Sequence, residues 1–518
     1  MKLSAQLPRL LLTTGECLTG PDAYPLRFFI HKSIQELAQM ILQRLGAPGE
    51  ATMLFPSLEV SKQWEFKIAK QFWQHTGDGI SSRRAELCLD EVHKIVRQSS
   101  VATTNNNPPS RVSKGPKRYS RPLEKIECKP AVQIPDVETG VDSSRYVEER
   151  FGRNLDLAFI SSAKLAIRRR IAGTLKSNVG LKDALGLLSE GGRLGEGFSE
   201  NDVYLYPTGM SAIYNAHRLL MSARGPKKSV CYGFPYIDTL KILEKFGPGC
   251  HFFGHGSAKE LEELETMLQS GEEILGLFCE FPSNPLLKSP NMARIRELAN
   301  KYNFAVVVDE TVGNFLNVHV LPYADLVVSS LTKVFSGDSN VMGGSMVLNP
   351  NGRYYKLLKE KLCASYEDNY WGEDSLFLER NSRDFVSRIE RTNKNAEIVS
   401  DILRQHPRVK EVYYPKYSPT RDYYDACRCT TGGYGGLLSV TFHTNEDAIE
   451  MFDALETAKG PSLGTNFTLC CPYTLLAHYG ELEWAGQFGV DSHLIRISVG
   501  LEETEELVGV FERALAVL

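Results

Sequence analysis

EILGLFCE (273–280), FAVVVDE (304–310) and ADLVVSS (324–330) are three short apolar runs, each reaching a polar residue at its carboxyl end. Strands buried on both faces of a parallel sheet have this texture, because neither face offers a polar surface with which to alternate. Between the first two lies NMARIRELANKY (291–302), in which Ile295, Leu298, Ala299 and Tyr302 recur on one helical face. Ser289 is its expected N-cap, and Pro290 suits the first helical position. Strand, helix and strand in this order form a β-α-β unit. Open parallel sheets bind ligands beyond the carboxyl ends of their strands. Chemistry is therefore expected at Ser283 and Asn284 after the first run, Asp309 after the second, and Ser330, Thr332 and Lys333 after the third.

Around this unit the chain is long and close to neutral. Its 518 residues are 42% hydrophobic, enough for roughly three domains at about 150 residues each, and this excludes a disordered chain. Lys plus Arg number 59 against 63 Asp plus Glu, a net charge of −4 that does not suit a strongly basic nucleic-acid binder. No apolar run approaches the ~20 residues that span a bilayer. The 11 cysteines are dispersed, with Cys427-Arg428-Cys429 and Cys470-Cys471 the only close pairs, so neither a metal site nor a disulfide scaffold is expected. The opening MKLSAQLPRLLLTTGECLTG carries too brief an apolar stretch for a secretory signal, and a cytoplasmic chain is expected.

Four stretches differ in texture. Residues 1–100 read as a helical extension, in which Ser33 and Glu36 form a capping box and Ile34, Leu37, Ile41 and Leu45 share a face. Residues 101–145, rich in Asn, Pro, Ser and basic residues, read as a linker or arm whose charges are solvated. A larger domain is expected over 146–385 and a smaller one over 386–518.

In YPTGMSAIYNAH (206–217) Thr208 can cap a helix, leaving the amides of Gly209 and Met210 at its positive end. Unpaired amides and the helix dipole favour a phosphate there, and glycine permits its close approach. Neither a G-x-x-x-x-G-K-[ST] loop nor a G-x-G-x-x-G turn occurs, so no motif holds a nucleoside triphosphate or a dinucleotide. A carboxylate, a lysine and two hydroxyls at a sheet edge, beside a turn ready for phosphate, suit a flat, cationic, phosphorylated cofactor.

The segment SSLTKVFSGDSNVMGG (329–344) resembles the lysine segment of the cysteine and methionine metabolism enzymes that use pyridoxal 5′-phosphate. The resemblance runs in order through Gly209-Met210, VCYGFPY around Tyr232, CEFPSNP around Asn284, VVVDET around Asp309, GPSLG at Ser462 and LIRISVGLEE around Arg496. Strings such as YVEERFGRNLDLAF (146–159) and SLGTNFTL (462–469) look most like fungal-type cystathionine gamma-synthases.

The resemblance implies an α/β fold of the aspartate-aminotransferase type (fold type I). Such a fold has a large, mostly parallel sheet domain and a smaller C-terminal α/β domain, here with a helical N-terminal extension. It also implies that Lys333 joins the cofactor aldehyde and moves protons, that Asp309 holds the ring nitrogen, and that Tyr232 stacks on the ring. Asn284 is implied for the ring hydroxyl, Gly209, Met210, Ser330, Thr332 and Arg153 for the phosphate, and Arg496 and Ser462 for the substrate.

The implied reaction is a gamma-replacement on an O-acyl-L-homoserine. Alternatives are carbon-carbon bond formation by the same route, a gamma-lyase, or a cofactor-binding scaffold subunit. The implied partners are an amino-acid substrate and further copies of the chain in a homodimer or homotetramer, without nucleic acid or membrane. Two strings depart from the family pattern: Phe151-Gly152-Arg153 stands where a Tyr-x-Arg pair is usual, and Thr465-Asn466-Phe467-Thr468 where a Glu-Ser string is common.

Overall fold

The computed structural model describes residues 72, 74–77, 79–103, 157–186 and 198–518. The helix expected near residues 33–46, most of the 101–145 arm and Arg153 lie outside the described residues.

Seven strands form the larger sheet: β1 (Val203–Tyr206), β2 (Ser229–Tyr232), β3 (Cys250–Phe253), β4 (Gly276–Glu280), β5 (Ala305–Asp309), β6 (Leu326–Ser330) and β7 (Gly344–Leu348). They lie in the order β1-β7-β6-β5-β4-β2-β3. Strands β3, β2, β4, β5 and β6 are mutually parallel, and β7 runs antiparallel to both of its neighbours. The first four residues of β4, β5 and β6 are buried and the fifth emerges partway, as the apolar runs require.

Side chains alternate across this sheet into two cores. Val230, Tyr232, Leu277, Cys279, Val306 and Val308 pack on one face. Cys231, Phe278, Val307 and Val328 pack on the other, beneath Ala212, Ile213 and Ala216 of helix α3 (Gly209–Arg224). Helices α4 (Ile237–Lys245), α5 (Ala258–Gln269) and α6 (Met292–Tyr302) make the crossovers. Helix α6 begins two residues later than its sequence suggests. Asn291, not Ser289, is the N-cap, because its Oδ1 accepts the Arg294 amide at 3.0 Å.

The smaller sheet joins β8 (Val409–Tyr413), β9 (Leu437–Phe442), β10 (Ala458–Lys459), β11 (Leu469–Pro472) and β12 (Ile495–Ser498) in the order β10-β11-β12-β9-β8. It packs against α9 (Phe385–Gln405) and α11 (Thr504–Leu515) through Val399, Leu403, Leu507 and Phe511. A large, mostly parallel sheet and a smaller C-terminal α/β unit are the architecture implied by the sequence. Among the described residues no helix is long and apolar enough to cross a membrane, and the nine cysteines are all free.

Helix α1 (Ser82–Thr103) and helix α2 (Ile160–Ala172) both rest on α8 (Gly372–Asn381). Buried Arg170 on α2 donates to Glu379 on α8 at 2.9 Å, and Arg383 donates to the same carboxylate at 2.7 Å. Removing the acid would strand a buried guanidinium without a counter-charge. Glu379→Ala is therefore expected to cost about 3–5 kcal/mol in urea unfolding. A loss within 1 kcal/mol (roughly the worth of an exposed pair) would show that this carboxylate does not hold the helices.

Candidate active site

The first turn of α3 leaves backbone amides free at its N-terminus. Thr208 caps the helix by accepting the Ser211 amide at 3.0 Å, which leaves the Gly209 and Met210 amides without intrahelical acceptors. A Cβ on Gly209 would lie 2.7 Å from Ser330 Cβ, so only glycine lets this turn close onto the end of β6. Ser330 is steadied there by its amide, which donates to Thr311 Oγ1 at 2.8 Å. The Thr332 hydroxyl is instead closed onto the Gly343 backbone, accepting its amide at 3.1 Å and donating to its carbonyl at 3.3 Å. Of the two hydroxyls expected at the turn, Ser330 is the one set against it.

In-register pairing of β4 and β5 places Glu280 directly beside Asp309. The Glu280 carboxylate accepts the Asn284 amide at 2.9 Å and also the Tyr236 amide, while Asp309 Oδ1 accepts the Thr311 amide at 2.8 Å. Burial raises the pKa of both acids, and the neighbouring Asp309 charge pushes Glu280 further up. The pair thus retains a proton at pH values where isolated carboxyls have lost theirs.

Lys333 follows β6, and its Nζ donates to Ser462 Oγ at 3.0 Å across to the smaller domain. Desolvation brings its ammonium down from 10.5 to about 8, and the positive Arg496 guanidinium adds to the effect. Arg496, buried on β12, donates to Asn284 Oδ1 at 3.1 Å, to Ser462 O at 3.0 Å and to Pro461 O. Its guanidinium lies 4.6 Å from the centre of the Tyr473 ring, and Asn284 Nδ2 donates to the Tyr473 hydroxyl at 3.4 Å. Lys333, Ser462, Asn284 and Arg496 thus form one connected group, near the edge that carries Ser330 and Asp309.

The placement of Tyr232 requires a correction. It pairs with Cys279 and shares that residue's face of the sheet, opposite the face that carries Glu280 and Asp309. Its hydroxyl is already committed to Ser257 O at 2.9 Å, and only 3% of the residue is exposed. Strand parity therefore keeps its ring away from the carboxylates. Tyr236, four residues on, stands at the N-terminal boundary of α4 without a side-chain capping bond, donates its amide to Glu280 and is exposed.

Sequence reasoning missed Glu280, Tyr236 and Tyr473. Both Glu280 and Tyr236 lay inside the quoted strings CEFPSNP and VCYGFPY, and the signal for Glu280 is its equivalence to Asp309 at the end of the adjacent parallel run. Nothing in the sequence near Tyr473 marks it.

A buried acid whose folded-state pKa is raised stabilises the fold below its unfolded value, and that contribution fades as pH climbs through the folded value. For Glu280 the interval runs from 4.5 to about 8. In the cofactor-free protein the unfolding free energy of wild type minus that of Glu280→Gln is expected to fall across this range, by at most about 1.4 kcal/mol per pH unit, and to level off above it. Urea titrations at a series of pH values measure it. A difference independent of pH would show that Glu280 titrates normally.

The family model described as Cys/Met metabolism PLP-dependent enzyme matches residues 194–516. A cystathionine gamma-synthase of Neurospora crassa is 53% identical over 491 residues, which span 90% of this chain and 78% of that protein. The cystathionine gamma-synthase of Saccharomyces cerevisiae is 37% identical, over 97% of this chain and 93% of its own. Among solved structures, metB from Corynebacterium glutamicum matches with a TM-score of 0.52 and 24% identity, over 61% of this chain and 80% of its own, a likeness of fold. With the family model spanning residues 194–516 and relatives of 53% and 37% identity matched over 90% and 97% of the chain, this protein belongs to the pyridoxal-phosphate-dependent enzymes of cysteine and methionine metabolism.

Proposed function

We propose that this enzyme performs a gamma-replacement on an O-acyl-L-homoserine, as a cystathionine gamma-synthase does. The bond from Cγ to the ester oxygen breaks, the acyl group leaves as a carboxylate, and the sulfur of cysteine takes its place on Cγ as its thiol proton is released. The names of the similar fungal proteins support the reaction class. The observation that carries the chemistry is the desolvated Lys333 amine, set 3.0 Å from Ser462 and near Arg496.

The residues present fit pyridoxal 5′-phosphate. The Gly209 and Met210 amides suit its phosphate together with Ser330, which packs so close to Gly209 that a Cβ there would lie 2.7 Å from Ser330 Cβ. Asp309 suits a protonated ring nitrogen, and Tyr236 offers an aromatic face. When bound, the cofactor supplies an aldehyde for amines and a ring that accepts electrons.

The chain's own groups do the rest. The Arg496 fork takes the substrate carboxylate in exchange for the internal acceptors that occupy it. Lys333, part neutral near its value of about 8, removes the Cα proton and returns one later, and Ser462 steers its amine. The proton that the pair retains leaves a single negative charge facing the ring, and Glu280, through the Tyr236 and Asn284 amides, holds the two loops that flank it. In this reading residues 146–385 form the cofactor-binding domain and 386–518 the smaller one. The enzyme acts in the cytoplasm as a homodimer or homotetramer, with Arg153 contributing charge at the phosphate.

Incubating the holoenzyme with O-acyl homoserines, with and without cysteine, tests the reaction. Cystathionine should form, and 2-oxobutanoate should be suppressed once cysteine is added. If 2-oxobutanoate forms at the same rate in both, the enzyme is a lyase and the synthase reading is wrong. Lys333→Ala should lower exchange of the substrate Cα proton by at least about a hundredfold.

The pH dependence of cofactor capture tests the lysine itself. Only the neutral amine attacks an aldehyde, so capture by the cofactor-free protein should rise roughly tenfold per pH unit and level off near 8. A rate still climbing toward the ordinary lysine value of 10.5 would show that Lys333 is not desolvated.

A further inference from the structure

The described part of the N-terminal extension packs its Phe72 and His75 rings on Phe246 and Arg84 on Trp371, and makes further contacts closer to the site. Gln74 Nε2 donates to both oxygens of buried Asp238, at 3.0 and 3.1 Å, and His75 Nε2 lies 3.5 Å from the same carboxylate. Asp238 is in the first turn of α4, two residues beyond Tyr236. Gly77 O accepts the Thr208 hydroxyl at 3.4 Å, the hydroxyl that caps α3. Arg83 donates to Asn340 O at 2.9 Å, in the loop that follows Lys333, and to Asp374 at 2.9 Å, with its guanidinium 3.7 Å from the Phe377 ring.

The seating is tight. Gly77 has φ +62°, and a Cβ there would lie 2.2 Å from Thr208 Oγ1 and 2.5 Å from the Ser211 amide. No side chain fits without pushing the cap of α3 out of place. His75 and Thr76 are buried, as are Ile80, Ala85 and Leu89 farther along, so these residues pack as part of the core.

We infer that residues 74–77 and 79–83 form a wall of the cofactor site that holds the first turn of α3 in the geometry that receives the phosphate. The inference rests on the reading that pyridoxal 5′-phosphate binds at that turn, and it concerns residues upstream of those the family model covers. The wall acts through Thr208. With Gly77 O taking its proton, the Thr208 oxygen stays turned toward the Ser211 amide, and the Gly209 and Met210 amides remain aimed outward. The backbone at Gly77 also covers the outer side of the turn, against Met210 Cβ and the Ser211 amide. Water kept off that side strengthens hydrogen bonds from these amides to an anion. Gly77 is thus a positioning residue that does not itself touch the cofactor.

The test compares two probes on the full-length, cofactor-free protein: pyridoxal 5′-phosphate and pyridoxal, which lacks the phosphate. Gly77→Val should weaken binding of the first by about tenfold or more, and of the second by less than about twofold, a difference of at least about fivefold, or about 1 kcal/mol, confined to the phosphate. Lys94→Ala, on an exposed turn of α1, should change neither. Equal losses for both probes, or no loss for either, would overturn the inference.

Hydrogen exchange on the wild-type protein tests the inference without any substitution and decides alone if Gly77→Val does not fold. Peptides covering 74–83 should exchange more slowly with pyridoxal 5′-phosphate bound than with pyridoxal bound, and equal exchange overturns the inference. A wild-type protein that binds neither probe would instead refute the cofactor reading on which the wall depends.

Discussion

Taking a carboxylate out of water costs several kcal/mol unless other groups replace its hydration, and a second carboxylate alongside raises that cost. Glu280 and Asp309 are placed together by nothing more than the register of two parallel strands, yet the surrounding edge is organised around them. Three backbone amides, from Tyr236, Asn284 and Thr311, point at these acids. The retained proton removes one of the two charges. Opposite stand two cations, Lys333 and Arg496, the first pushed toward neutrality by the same shortage of water. Such an edge is poised to accept a ring that brings its own positive charge, because that charge would satisfy the remaining acid.

The reason so much was legible in advance lies in the larger sheet. A strand buried on both faces must be apolar throughout, so β4, β5 and β6 announce themselves, and the residues that end them fall at one edge by topology. Asp309, Ser330, Asn284 and Lys333 could therefore be named from the chain alone, and Arg496 and Ser462 through the resemblance.

Parity was not legible. In Tyr232-Gly233-Phe234-Pro235-Tyr236, only the pairing of Tyr232 with Cys279 tells which aromatic lies within the sheet and which emerges. The helix start slipped from Ser289 to Asn291 for a similar reason, since several residues before α6 can cap and only geometry chooses among them. The docking of residues 74–83 was equally hidden. It depends on close backbone contact at Gly77, which leaves no mark in composition.

The two sheets contribute unequally to the site. The larger carries Glu280, Asp309, Ser330 and Lys333, while Arg496 and Ser462 come from the smaller side and meet it through the Lys333–Ser462 and Arg496–Asn284 bonds. If mild stress broke these two bonds first, a cofactor held as proposed by Lys333 and Asp309 would stay in place while the proposed fork for the amino acid was lost. Such molecules would remain yellow and do no work, so colour alone would overcount the competent fraction of an ageing preparation.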